Sequence, residues 1–242
     1  MHEISLSTET IGHLGFFPVT NTLLASWLAM AVLVGFAFAF SRMLRLVPQK
    51  GQAAVEMVFE GLLSLMDSVT QDRSKSEKFT PLVLTIFFFV ITANWMGVLP
   101  GVGSLTIEHA GHLVPLVRSA FSDLNNTLAI ALIAVVATHV MGITSLGAFR
   151  HIGKFISFKS PILFFVGLLE AISELAKILS FSFRLFGNIF AGEVLLIVIG
   201  ALIPVIAPIP FLGLELFVGF IQALVFAVLT LVFLTMAIAH KH

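Results

Sequence analysis

Long apolar runs dominate the chain, and short polar intervals separate them. A helix needs about 20 apolar residues to cross the hydrocarbon core of a bilayer. Five runs approach or exceed that length, and we predict that each forms a membrane helix. They cover residues 23–40, 81–99, 124–147, 161–203 and 211–239. We expect residues 1–22 to form an N-terminal segment and the whole of 1–242 to be a single membrane domain.

Residues 51–72 follow a different pattern, in which polar side chains recur every three or four positions. These positions are Gln52, Glu56, Glu60, Ser64, Asp67 and Gln71. On a helix this spacing makes one polar stripe beside an apolar face. Such a helix suits the membrane interface, and we predict that it lies there on the cytoplasmic side. An amphipathic helix in a small soluble subdomain is the alternative.

The composition favours a membrane protein. Hydrophobic residues make up 58% of the chain and charged residues only 11%, whereas an ordinary soluble domain has about 25% charged residues. We therefore predict an all-α integral membrane protein with about five membrane helices and one interfacial helix. The 13 basic and 13 acidic residues balance, which leaves no basic surface for nucleic acid. The chain has no cysteine, so disulfides and thiolate metal sites are excluded.

Basic residues indicate the orientation, since loops rich in Lys and Arg stay in the cytoplasm. With the N-terminus outside and five crossings, Arg118 is the one basic residue of the outer loops. The cytoplasmic side then holds Arg42, Arg45, Lys50, Arg73, Lys75, Lys78, Arg150, Lys154, Lys159 and Lys241. We predict that residues 1–22 lie outside and that the C-terminus is cytoplasmic.

The run at 161–203 is too long for one upright crossing. As a helix it would extend about 65 Å, roughly twice the thickness of the hydrocarbon core. Two short segments are possible, but they would make the distribution of basic residues inconsistent by one crossing. We favour one long, strongly tilted helix, followed by a tilted partner at 211–239. Pro204, Pro208 and Pro210 are expected to end the first helix and turn the chain.

The same run carries most of the charges within the apolar segments. At about 100° per residue, one stripe of the helix holds Glu170, Glu174, Lys177, Arg184 and Asn188. Ser173 and Ser180 flank that stripe, and Glu193 lies off it. Charges inside a membrane mark ion paths, counter-ions or paired structural sites. On the last helix Glu215 and Gln222 share a face, and antiparallel packing of the two helices could bring Glu215 close to Glu193.

The two cations of this run differ in their local partners. Lys177 has acids at helical spacing, Glu170 and Glu174, so a structural ion pair explains it. Arg184 has no acid within one turn, and its guanidinium does not deprotonate in proteins. It needs a partner from outside its helix. An ion pair with Glu193 or Glu215 in the core of the bundle is the structural alternative.

The residues SFSFRLFGNIFAGE at 180–193 resemble the signature of subunit a of bacterial F-type ATP synthases. The preceding LLEAISELAKILSFSFRLFGN and the final FIQALVFAVLTLVFLTMAIAH resemble the two long helices of that family. NWMGVLPG and SDLNNTLAIAL resemble segments at its earlier crossings, so that the resemblance covers residues from about 20 to about 240.

The resemblance implies the stationary proton-channel subunit of the membrane Fo sector. Arg184 matches the family's arginine, which faces the carboxylates of a rotating ring of c subunits and blocks proton leakage between two half-channels. Positions of the outer half-channel match Asn188, Glu193, Glu215 and Gln222, and positions near the cytoplasmic exit match Glu170, Ser173, Lys177 and Ser180. The implied partners are the c ring, the b-subunit stalk, the rest of the ATP synthase and the lipid bilayer.

Further expectations concern chemistry and location. The chain lacks a P-loop pattern, so direct ATP binding is not expected, and catalysis would belong to other subunits. No cofactor and no metal are expected. The resemblance implies a bacterial plasma (inner) membrane. Some relatives have a histidine at the position of Glu215, whereas this chain has two carboxylates, Glu193 and Glu215; if they lie close together, a shared proton would make them a relay.

Several polar residues keep two interpretations. His139 is either a packed, hydrogen-bonded histidine or a proton relay, and Asn94 is either a contact between helices or part of the channel. Asp123 suits a helix cap, or a place at the outer proton entrance. His109 and His112 have a spacing that could bind a metal, but an exposed outer loop is favoured. A secondary transporter and an intramembrane enzyme are disfavoured, because internal repeats and catalytic constellations are missing from the sequence.

Overall fold

The computed structural model describes residues 9–15, 17–45, 47–99, 106–109, 112–147, 153, 160–204 and 206–238. Six α-helices form most of this part of the chain: α1 (Asn21–Met43), α2 (Lys50–Thr70), α3 (Arg73–Val98), α4 (Leu124–Leu146), α5 (Pro161–Leu202) and α6 (Pro208–Ile238). All of them except α2 are long and apolar enough to cross a membrane. The prediction of an all-α membrane protein is confirmed.

The helix bounds follow local sequence signals. Asp123 caps α4, since its carboxylate accepts the backbone N–H of Asn125. The same carboxylate accepts the hydroxyl of Thr22 at 3.1 Å, which ties the start of α1 to the start of α4. The helix-cap interpretation of Asp123 is therefore confirmed, and the cap also joins two helices.

The long run is one uninterrupted helix, α5, as favoured over two short segments. Pro204 follows its end. Pro208 and Pro210, however, do not lie in the turn: they form the first turn of α6, which begins three residues before the expected start at 211. This position suits proline, because the first backbone N–H groups of a helix have no partner within the helix.

Two short antiparallel hairpins were not predicted. β1 (Thr10–Leu14) pairs with β2 (Phe17–Thr20) inside the N-terminal segment. β3 (Thr106–His109) pairs with β4 (His112–Pro115), with His109 opposite His112 in the backbone register. The side chains of these two histidines lie outside the described part of the structure, so their spacing remains only a metal-site hypothesis.

The core lies where α3 and α6 pack along each other and α4 and α5 join them. Two side chains of α3 hold α6: Asn94 donates to the carbonyl of Gly219 at 3.1 Å, and Trp95 Nε1 donates to the carbonyl of Leu216 at 3.0 Å. Asn94 is 1% exposed. The contact interpretation of Asn94 is thus supported, and α6 is fixed in the register that presents Glu215 and Gln222 to α5.

Candidate functional site

Charged and polar side chains occupy three levels along α5. Lys177 and Glu174 lie in its first half, Arg184 near its middle, and Asn188 and Glu193 beyond. At 1.5 Å per residue, Arg184 is about 10 Å along the axis from Lys177 and about 14 Å from Glu193. Partners from other elements complete the first and third levels, whereas Arg184 stands between them.

Arg184 is exposed on the surface of α5. Exposed apolar side chains occupy other faces of the same helix, with Phe183 54% and Leu179 50% accessible. Within the described residues, no carboxylate lies within ion-pair distance of Arg184. The alternative of a core ion pair with Glu193 or Glu215 is not what the structure shows.

Glu193 is paired with a different cation, Arg118. The Nε of Arg118 donates to Oε1 of Glu193 at 2.8 Å, and the two side chains are only 13% and 24% exposed. Arg118 lies in the segment between β4 and α4, 75 positions away in sequence. The contact of Arg118 with Glu193 was not predicted from the sequence, in which Arg118 served only to indicate the membrane orientation. Its isolation as the one basic residue of the predicted outer loops was the available signal.

Asn188 and Gln222 are brought together as a hydrogen-bonded pair. The amide Nδ2 of Asn188 donates to Oε1 of Gln222 at 2.8 Å across the contact between α5 and α6. Gln222 is 5% exposed, so its amide lies inside the bundle. Asn188 is four residues, or about 6 Å along the axis, from Arg184, so this pair is a polar contact with α6 one helical turn from the arginine.

Glu215 leans against α5 at a glycine. A Cβ built on Gly192 would lie 2.9 Å from Oε1 of Glu215, so the missing side chain provides the space for the carboxyl group. Gly192 directly precedes Glu193. The buried oxygens Oε2 of Glu215 and Oε2 of Glu193 both lack a hydrogen-bond partner among the described residues. Glu193 and Glu215 therefore both lie at the same short stretch of α5, and each has a buried oxygen that could still accept a hydrogen bond.

We call the residues around this contact the Glu193 cluster: Arg118, Asn188, Glu193, Glu215 and Gln222. All four residues predicted for the outer half-channel belong to it.

A second group, the Glu174 cluster, consists of His139, Glu174 and Lys177. The Nζ of Lys177 donates to Oε1 of Glu174 at 2.7 Å, and Nε2 of His139 lies 3.7 Å from Oε2 of the same carboxylate. Lys177 Nζ also lies 4.6 Å from the ring centroid of Phe233 on α6. Lys177 thus has its local partner in Glu174 and not in Glu170.

A family model described as ATP synthase A chain matches residues 23–235. The chain belongs to the ATP synthase A chain family. The family identifies it as a proton-channel subunit of the Fo sector, which is a non-catalytic, multi-pass membrane part of ATP synthase. The matched range contains Arg184 and both clusters.

Three other residues of this A chain that were predicted for the site belong to neither cluster. Glu170 is partly buried, and Ser173 and Ser180 are exposed on α5. Among the described residues none of the three has a side-chain hydrogen bond, although they continue the stripe that leads from Lys177 to Arg184. His139 and Glu174, which were not predicted for the half-channels, lie beside Lys177 instead; the sequence indicated Glu174 as one of two possible partners of Lys177, and His139 as either a packed histidine or a proton relay.

Proposed function

We propose that this chain is the stationary subunit that guides protons to and from a rotating ring, with Arg184 facing the ring carboxylates between two half-channels. One observation carries the proposal: Arg184 is a permanent cation exposed on the surface of a long apolar helix, without an acidic partner among the described residues of its own chain.

The other two cations of the site differ from Arg184 in this respect. Arg118 and Lys177 each have a carboxylate within 2.8 Å and 2.7 Å, respectively. A charge on an apolar membrane surface is unfavourable unless a partner compensates for it. A ring of c subunits, each with one ion-carrying carboxylate, supplies such a partner. Since the ring turns past the arginine, each contact is transient and hydrated, because a dry ion pair would hold the ring in place.

The two clusters lie on opposite sides of Arg184 along α5, which supports two separate half-channels. We assign Asn188, Glu193, Glu215 and Gln222 to the outer half-channel, and Glu170, Ser173, Lys177 and Ser180 to the cytoplasmic one. In the outer half-channel, Arg118 compensates the charge of Glu193 through Oε1, so Glu215 is the carboxyl that takes up the travelling proton. The other oxygen of Glu193, which has no partner among the described residues, can share that proton, and this makes Glu193 the second member of the relay.

The assembly and its setting complete the proposal. The subunit contacts the c ring and the b-subunit stalk within the ATP synthase, in a bacterial inner membrane, with the N-terminus outside and the C-terminus in the cytoplasm. It binds no ATP itself, because nucleotide chemistry belongs to the other sector of the enzyme.

The test is Arg184→Ala in inverted membrane vesicles that contain the whole ATP synthase. We expect ATP-driven acidification to fall to background and passive proton leak to rise, because both the charge partner and the seal are lost. Acidification is followed with a pH-sensitive dye, and leak by the decay of an imposed pH gradient.

The matched control is Arg45→Ala. Arg45 is exposed, and its hydrogen bonds to Gln52 involve only its backbone, so they survive the substitution. This variant should pump normally. Normal pumping by Arg184→Ala, with the complex assembled, would reject the proposed role of the arginine.

A further inference from the structure

We propose that His139 and Glu174 form an additional proton-transfer site at the cytoplasmic end of the path. The inference rests on the proposed function and deepens it, since it adds two residues to the cytoplasmic half-channel. Its physical basis is one carboxylate whose two oxygens face different partners, a lysine and a titratable imidazole.

The first step is the geometry of the Glu174 carboxylate. Its Oε1 is held by Lys177 at 2.7 Å, which fixes the side chain. Its Oε2 points to Nε2 of His139 at 3.7 Å, slightly beyond a hydrogen bond. Protonation of the imidazole would draw the two groups into a charge-assisted hydrogen bond, whereas deprotonation would release it.

The side chains of this site come together from three helices. His139 lies on α4, Glu174 and Lys177 on α5, and the ring of Phe233 under the lysine on α6. The side chains of His139, Glu174 and Lys177 are 30%, 17% and 21% exposed. All three side chains are therefore partly buried among the helices, and each keeps some exposed surface.

The imidazole of His139 has few ionisable side chains near it on the described parts of the surrounding helices. Apart from His139, α4 has no ionisable residue. On α5 the charged neighbours are Glu174 and Lys177, with Glu170 one turn further. The described part of α6 contributes only Glu215, which is about 27 Å along the axis from Phe233. Glu174 and Lys177 thus place opposite charges near the imidazole, and histidine is the side chain used most often to accept and donate protons near neutral pH.

The proton step follows from these groups. When the enzyme hydrolyses ATP, a hydrated proton from the cytoplasm gives up its O–H bond and forms an N–H bond at Nε2 of neutral His139. Glu174 stabilises the imidazolium. The N–H bond then breaks, the proton leaves through water toward the ring carboxylate next to Arg184, and neutral His139 is restored. During ATP synthesis the same steps run in reverse.

The test uses His139→Gln in inverted vesicles that contain the whole ATP synthase, because the cytoplasmic side then faces the bath. Proton uptake becomes limiting when the bath is alkaline. We expect pumping near that of the parent at about pH 6.5 and roughly a fivefold loss at about pH 8.5, less than the 10²–10⁴ of an obligatory acid–base group, because water provides a parallel route. The matched control, His13→Gln, changes an exposed histidine of β1 and should leave the pH profile unchanged.

A second variant separates proton transfer from packing. Glu174→Gln should move the alkaline limb of the profile in the same direction, and the double variant should be no worse than the more affected single one, because the two residues act as a unit. Multiplying losses, or a uniform loss at every pH, would overturn the proposal. If Arg184→Ala abolishes pumping while His139→Gln keeps the pH profile of the parent, only the inference about His139 and Glu174 fails. If Arg184→Ala pumps normally, the proposed function is itself rejected.

Discussion

Both clusters on α5 contain a carboxylate that is ion-paired with a cation, but they differ in the acids around it. The Glu193 cluster has two acids for one cation, and each acid has a buried oxygen without a partner among the described residues. The Glu174 cluster has one acid whose two oxygens both face a nitrogen-bearing side chain. In the proposed path, one end of the site thus has a second carboxyl that can hold a proton, whereas the other end would use an imidazole.

Among the substitutions that compare the two clusters, Arg118→Gln should have the largest effect. It leaves Glu193 without its cation beside Glu215, and removal of one partner from a buried ion pair costs about 3–5 kcal/mol, with less expected here because both side chains keep some solvent contact. The corresponding Lys177→Gln should be milder, because Glu174 still has His139. ATP-driven acidification and the thermal stability of the solubilised complex are the measurements.

Arg118→Gln combined with Glu193→Gln is the informative control. It removes the charge together with its partner, so stability should recover most of the loss seen in Arg118→Gln alone. If Lys177→Gln proves as damaging as Arg118→Gln, or if the double variant does not recover, the proposed difference between the clusters is wrong.

An intermediate effect is expected from Gly192→Ala. The new Cβ would lie 2.9 Å from Oε1 and 3.1 Å from Cδ of Glu215, so the carboxyl must move. We expect roughly a three- to tenfold loss of pumping, since displacements of about 1 Å at a reacting group can cost up to about 10²-fold in rate. The loss should be confined to the Glu193 cluster, so the pH profile assigned to His139 should keep its shape.

Gly213→Ala is the matched control for this substitution. A Cβ at Gly213 meets nothing within 4 Å, and the residue lies only two positions before Glu215. Pumping should stay at the parent level. Equal losses in the two glycine variants would mean that helix flexibility, and not the position of the carboxyl group, limits transport.

The smallest effect should follow from Asn94→Ala. The substitution removes the hydrogen bond to Gly219, but it also removes a buried Oδ1 that has no partner among the described residues. The two changes offset each other in part, so we expect a loss of about 0.5–1 kcal/mol in stability and little change in pumping. Thermal unfolding of the solubilised complex measures it.

The control is Asn125→Ala, which changes an exposed asparagine whose hydrogen bond to Asp123 is made by its backbone N–H. It should leave the unfolding temperature in place. A strong loss of pumping in Asn94→Ala would mean that α3 contributes directly to the Glu193 cluster and does more than position α6.

Local signals made much of the fold predictable. The lengths of the apolar runs indicated the helices, the position of Asp123 indicated a cap, and the spacing of Lys177 and Glu174 indicated one of two possible pairs. These features depend on residues within a few turns of one another, where helix geometry alone decides which side chains meet.

The remaining contacts depend on packing between distant segments. Arg118 meets Glu193, and His139 meets Glu174, only because α4 and the segment before it pack against α5. No periodicity within one helix contains that information. The exposure of Arg184 has the same origin: its place on a polar stripe was visible in the sequence, but which side of α5 the bundle leaves open was not.

The uninterrupted length of α5 determines how the line between the two clusters runs relative to the membrane plane. Its 42 residues extend about 63 Å, so this helix stays within a hydrocarbon layer of about 30 Å only if its axis is inclined by roughly 60° from the membrane normal. Lys177 and Glu193, about 24 Å apart along the axis, then differ by only about 12 Å in depth but by about 21 Å sideways. Under the proposed function, a proton that passes between the two clusters would therefore travel mainly parallel to the membrane plane, which is the displacement that a turning ring can provide and a straight pore cannot.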